Sequence, residues 1–158
     1  MRRTFAVLLM LLSLCVATCS ADSSGYFFVA PGGVTGGGGA TLHLGAGGEL
    51  GVIRGFGVAA ELGGLGPTSK FSSLLGVFSL NGAYHFMHSS DGRLDPFATA
   101  GYSLFFRSGH ENLANFGGGA NYWFLKKLGL RLEFRDHVLS SPGPTLHYWN
   151  FRFGVAVR

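Results

Sequence analysis

The sequence has little charge. Asp, Glu, Lys and Arg make up 13% of its 158 residues, about half the share of an ordinary soluble domain, which implies a surface that does not face water throughout. Cysteine is confined to Cys15 and Cys19, both in the opening segment, so disulfides, Cys-ligated metals and a Cys nucleophile are not expected in the body of the chain. His43, His85, His88, His110, His137 and His147 are scattered, without the spacing of a metal-binding pair, and no metal or other cofactor is expected. No basic tract alternates with exposed aromatics, which argues against a nucleic-acid partner. The glycine runs Gly36 to Gly39 and Gly117 to Gly119 lack the lysine and following helix of a phosphate loop. Helical periodicity is missing after the opening segment, and no apolar run reaches the roughly 20 residues of a membrane-spanning helix.

What is present begins with an export layout. Arg2 and Arg3 precede an apolar run from Phe5 to Leu12, continued by Leu14, Val16 and Ala17, and Cys19-Ser20-Ala21 stands ahead of Asp22. A charged start, a short apolar stretch and a small-residue exit predict a Sec-type signal peptide over residues 1–21, leaving 22–158 as one domain. Val16-Ala17-Thr18-Cys19 loosely resembles a lipoprotein signal, although Thr18 departs from the usual small residue before a lipidated cysteine. Acylation at Cys19 would add a tether and leave the fold unchanged.

The remainder alternates with period two between clusters of Gly, Pro, Ser and Asp. Eight strands are predicted, at about 25–31, 40–52, 55–63, 71–86, 95–106, 112–124, 128–138 and 146–157. Leu128, Leu130, Leu132 and Phe134 share one face, against Gly129, Arg131, Glu133 and Arg135. Trp149, Phe151, Phe153, Val155 and Val157 oppose Asn150, Arg152, Gly154 and Ala156. Leu42, Leu44, Leu50 and Val52 oppose Thr41, His43, Gly45, Gly47, Glu49 and Gly51, and Phe56, Val58, Ala60 and Leu62 oppose Gly57, Ala59, Glu61 and Gly63. Strands four to six alternate less cleanly, and the phase of the fifth stays open.

Volume decides which face is inside. An eight-stranded interior is only wide enough for side chains to fill, or for one small ligand, so it cannot take every Trp, Phe and Leu of the apolar face. Glycine weakens a water-facing strand position but suits a crowded wall. The small and polar face therefore points in and the large apolar face out, which is the pattern of a membrane barrel. Strands of about 9 to 11 residues suffice to cross a bilayer when tilted. Tyr26, Phe27, Tyr84, Phe86, Tyr122, Trp123, Phe124, Tyr148 and Trp149 lie near strand ends, either as interfacial girdles or through the β-propensity of aromatics alone.

The signal-like opening, the eight alternating segments, Asp95-Pro96-Phe97-Ala98, Asn115 to Tyr122 (NFGGGANY), Leu128 to Arg135 (LGLRLEFR) and the closing Asn150 to Val157 together form a pattern. It resembles the small outer-membrane β-barrel domains of the outer-membrane protein A type, over nearly all of residues 25–158. The resemblance implies an all-β, eight-stranded antiparallel up-and-down transmembrane barrel in the bacterial outer membrane. It also implies outer-membrane lipid around the barrel, folding by the barrel assembly machinery, and a monomer.

Two groups of residues invite a site. Glu49, Glu61, Arg131, Glu133, Arg135 and Arg152 form an inward row, either lining an ion-selective pore or making a dry plug of ion pairs. The narrow lumen favours the plug. Arg135-Asp136-His137 with Ser140 and Ser141 invites comparison with lipid A deacylases, but His137 and Ser140 fall on opposite strand faces, where a base cannot reach its nucleophile. The expected function is therefore non-enzymatic, structural or surface-interacting. A lipid-modifying deacylase and a soluble secreted barrel binding a small apolar ligand are the alternatives.

Overall fold

The computed structural model describes residues 23–36, 39–53, 55–69, 73–86, 92–140 and 143–158. The predicted leader and the Cys19 reading lie outside them. Eight strands follow one another as β1 (Ser24–Val34), β2 (Ala40–Ile53), β3 (Phe56–Pro67), β4 (Leu75–His85), β5 (Leu94–Phe106), β6 (His110–Trp123), β7 (Leu128–Leu139) and β8 (Leu146–Val157). Each pairs antiparallel with its chain neighbours, and β1 pairs with β8 to close the barrel. Closure leaves no open edge, which is what hydrocarbon demands of a sheet. The start of β1 and the end of β8 pair at one mouth, termed the termini end; the opposite mouth is the loop end.

Strand limits depart from the sequence expectation where Pro and Gly were taken as breaks. Pro31 was expected to open a loop, yet β1 continues to Val34 and Pro31 pairs with Leu42 of β2. Toward β8 the pairing passes from Val29↔Phe153 to Gly32↔Asn150, skipping Ala30 and Pro31. Proline has no N–H to give, so the strand accommodates it where one ladder is interrupted. β3 likewise continues through Gly64 and Gly66 to Pro67, held by β2, and β4 begins at Leu75 rather than 71. The β2–β3 reversal falls one residue later than expected: Ile53 still pairs with Phe56, and Gly55 turns with φ 75°, a conformation cheap only for glycine.

The apolar face is outside. Phe27, Ile53, Leu62, Leu132 and Phe151 are all more than half exposed, while Thr41, His43, Glu49, Glu61, Arg131, Glu133, Arg135 and Arg152 are buried. The open phase of the middle strands is resolved the same way. Val77, Ser79, Asn81 and Ala83 of β4, Asp95, Phe97, Thr99, Ser103 and Phe105 of β5, and Leu113, Asn115, Asn121 and Trp123 of β6 are buried.

One expectation needs correcting. Tyr26 and Trp123, read as girdle candidates, are 2% and 5% exposed and lie in the lumen with Phe28, Phe97 and Phe105. Glycines make room for them across the ladders. Tyr26 faces Gly47, Phe28 faces Gly45 and Trp123 faces Gly129. A Cβ at these glycines would come within 2.6–2.8 Å of the facing ring. The interior is thus not simply small and polar: it alternates rings with glycines at the same level, which fills a narrow space more completely than either alone.

Candidate functional site

The described side chains of the lumen lie in layers. At its centre β7 projects Arg131, Glu133 and Arg135, side by side because residues two apart share a strand face. Arg131 Nε donates to Glu133 Oε2 at 3.2 Å, and Arg135 Nε to Glu133 Oε1 at 2.5 Å. Arg135 also makes a Glu133 ion pair through Nη2. From β8, Arg152 Nη1 donates to Glu61 Oε2 at 2.9 Å and lies 3.9 Å from Glu133 Oε1. Glu61 reaches in from β3, also accepting from Arg135 Nη2 at 3.3 Å and from the Tyr26 hydroxyl at 2.7 Å. Five of the six residues of the predicted row thus meet in one network, and each charge has a partner, the condition for tolerating charge in so enclosed a place.

The rings described above stack on two of the guanidiniums, Arg131 between two rings and Arg152 over one. Arg131 Cζ lies 4.3 Å from the Tyr26 ring centroid and 3.9 Å from that of Phe97, and Arg152 Cζ lies 4.3 Å from Phe28. Stacked cations of this kind are stabilised by the ring quadrupole and lose little by leaving water. Asn150 accepts from Arg152 Nε and Asn115 from Arg135 Nη1, at 3.1 and 2.9 Å.

Glu49, the sixth residue, joins the network only through Arg131, at its edge. Its Oε2 lies 3.8 Å from Arg131 Nη1, and its Oε1 lies 2.5 Å from His85 Nε2. The other ring nitrogen of His85 is 2.8 Å from Asp95 Oδ1, and Asp95 Oδ2 accepts from Asn121 Nδ2 at 3.0 Å. This cluster sits at the termini end. Sequence reasoning missed His85 and Asp95, because their strands were the ones whose phase was unclear. The signal lay in the spacing: His85 is in step with Ser79, Asn81 and Ala83.

Toward the loop end, His137 Nδ1 lies 3.0 Å from Ser103 Oγ, which is 2.8 Å from Ser79 Oγ. Above them Leu65, Val77, Phe105 and Leu113 pack together, with Leu75, Leu139 and Tyr148 against them. An apolar cluster therefore lies across the lumen beside the loops.

Of the residues that suggested a deacylase, Ser141 lies outside the described residues, and Asp136 and His137 fall on opposite faces of β7. His137 is fully buried in the lumen, while β7 runs on to Leu139, so Asp136 lies on the opposite, outward face of the strand. There Asp136 Oδ2 pairs with His147 Nδ1 at 2.7 Å.

No protein-family model and no curated protein matches the sequence. Solved structures do. The N-terminal β-barrel domain of Pseudomonas aeruginosa OprF is similar with a TM-score of 0.64 and 16% identity, over 85% of this chain and 96% of that one. Ail, the attachment invasion locus protein of Yersinia pestis, gives 0.61 and 10% over 85% and 96%. The outer membrane enzyme PagL gives 0.57 and 15% over 82% and 97%. At such identities the likeness concerns the fold. With the outward apolar belt and the buried polar side chains of the lumen, it defines the class: a closed eight-stranded transmembrane β-barrel of the kind found in bacterial outer membranes.

Proposed function

We propose that the protein is a non-enzymatic, monomeric outer-membrane barrel with a structural or surface-interacting role, whose lumen is plugged rather than conducting. The observation that carries this reading is the central network in which Arg131, Arg135 and Arg152 are each paired with Glu61 or Glu133, with the apolar cluster of Leu65, Val77, Phe105 and Leu113 beyond it. A water-filled channel would leave such charges solvated rather than bonded to one another. The outward belt speaks against the soluble alternative, because a water-facing barrel would have to carry Phe27 and Ile53, both more than 70% exposed, in water. The enclosure of His137 speaks against the deacylase alternative as the sequence framed it, since acyl chains lie outside the wall.

Cell fractionation with gel migration tests the assignment. The protein is expected in the outer-membrane fraction, migrating differently before and after boiling because a closed barrel resists mild detergent. A monodisperse, detergent-free periplasmic protein would overturn it.

A further inference from the structure

The plug does not require the cluster at the termini end. His85 is the last residue of β4, and its ring lies between carboxylates from two other strands, Glu49 of β2 and Asp95 of β5, at 2.5 and 2.8 Å. Ionised carboxylates only accept hydrogen bonds, so a ring that satisfies both must donate from both nitrogens and is an imidazolium.

Around His85, Arg131 of β7 approaches the far oxygen of Glu49 at 3.8 Å, Asn121 of β6 holds Asp95, and Phe97 packs on the imidazole with centroids 5.6 Å apart. Arg158 lies over Trp123 at 4.2 Å. Glu49, His85, Asp95, Asn121, Trp123 and Arg158 border a cavity of about 120 Å³. β2 and β5 are not neighbours in the barrel, so nothing in the sheet ladders joins them directly; His85 does.

We propose that His85 is a proton-operated latch, its imidazolium tying β2 to β5 across the lumen and closing the mouth at the termini end. When the ring releases a proton to solvent through the cavity, one nitrogen presents a lone pair to a carboxylate. Glu49 and Asp95 then face each other without the imidazolium charge that bridged them, and the side chains part. The ladders stay intact, so the mouth loosens while the barrel persists.

Trp123 lines this cavity and is buried, and the chain has only one other tryptophan, Trp149. Folded Trp149→Phe protein in detergent micelles therefore carries a single reporter at the mouth. Raising the pH from about 6 to about 10, a range spanning imidazole titration, is expected to increase acrylamide quenching of Trp123 by about two-fold or more. His85→Gln in the same background is expected to show the raised quenching at every pH, without a transition. Should His85→Gln not fold, ring-nitrogen NMR of the wild-type protein decides: both His85 nitrogens carry protons at the acid end, and one loses its proton over the interval in which quenching rises. Flat quenching throughout, a transition that survives in His85→Gln, or a His85 nitrogen bare across the whole range would overturn the latch.

Discussion

Phe28 stands directly across the β1–β2 ladder from Gly45, and its ring occupies the space that a side chain at 45 would need: a Cβ there would lie 2.6 Å from Phe28 Cζ. The same pairing places Tyr26 against Gly47. A glycine row of this kind is therefore a record of which face is inside.

Gly45→Trp is accordingly expected to block closure, whereas Leu44→Trp, one residue along on the exposed face, should be mild. Refolding into detergent, followed by gel mobility before and after boiling, reads the difference. Normal folding of Gly45→Trp would contradict the inward assignment.

Most of the fold was legible for a physical reason. β2, β3, β7 and β8 juxtapose bilayer and crowded lumen at every second residue, so their two faces demand opposite side chains and the sequence alternates cleanly. Pro31 and Tyr26 are the positions where local pattern and fold part ways. Proline reads as a break, but a local sequence does not reveal that only one of two ladders needs to be interrupted. Tyr26 looked like an interfacial aromatic because its inward fit depends on Gly47, about twenty residues away in the chain. Arg131, Glu133 and Arg135 could be placed on one face from the sequence, because same-face spacing along β7 is a local property. Glu49's partners were not found, since His85 and Asp95 come from strands whose alternation is blurred by residues such as Gly82, Ala98 and Ala100, small on the outward side.

Leu132 is 54% exposed at the middle of β7. Leu132→Arg is expected to cost about 2 to 4 kcal/mol if the site lies near the bilayer midplane, and less with distance from it. Urea titration in lipid vesicles measures this. A neutral substitution would argue that the face is not in hydrocarbon.

The hydroxyl of Tyr26 donates to Glu61 at 2.7 Å. Tyr26→Phe should therefore lower stability by about 1.5 to 3 kcal/mol, the range for a hydrogen bond to a charged group. A tyrosine in an interfacial girdle would tolerate the change almost silently, so thermal unfolding in detergent distinguishes the two placements.

Glu133 touches Arg131, Arg135 and Arg152. Removing it as Glu133→Ala should destabilise the barrel by about 3 to 5 kcal/mol, because enclosed arginines lose their counter-charge. Glu133→Ala with Arg135→Ala should recover much of that loss, since Glu61 keeps Arg152 and Tyr26. A double variant no more stable than Glu133→Ala alone would show that the pair is not coupled.

Single-channel recording of the wild-type protein beside Glu133→Gln in planar bilayers tests the plugged lumen most directly. The account predicts no steady conductance from the wild type, and a Glu133→Gln barrel that is less stable rather than differently conducting. Steady wild-type current, with a stable Glu133→Gln protein that shifts its ion selectivity, would contradict the plug and make the arginine–glutamate row the lining of a pore.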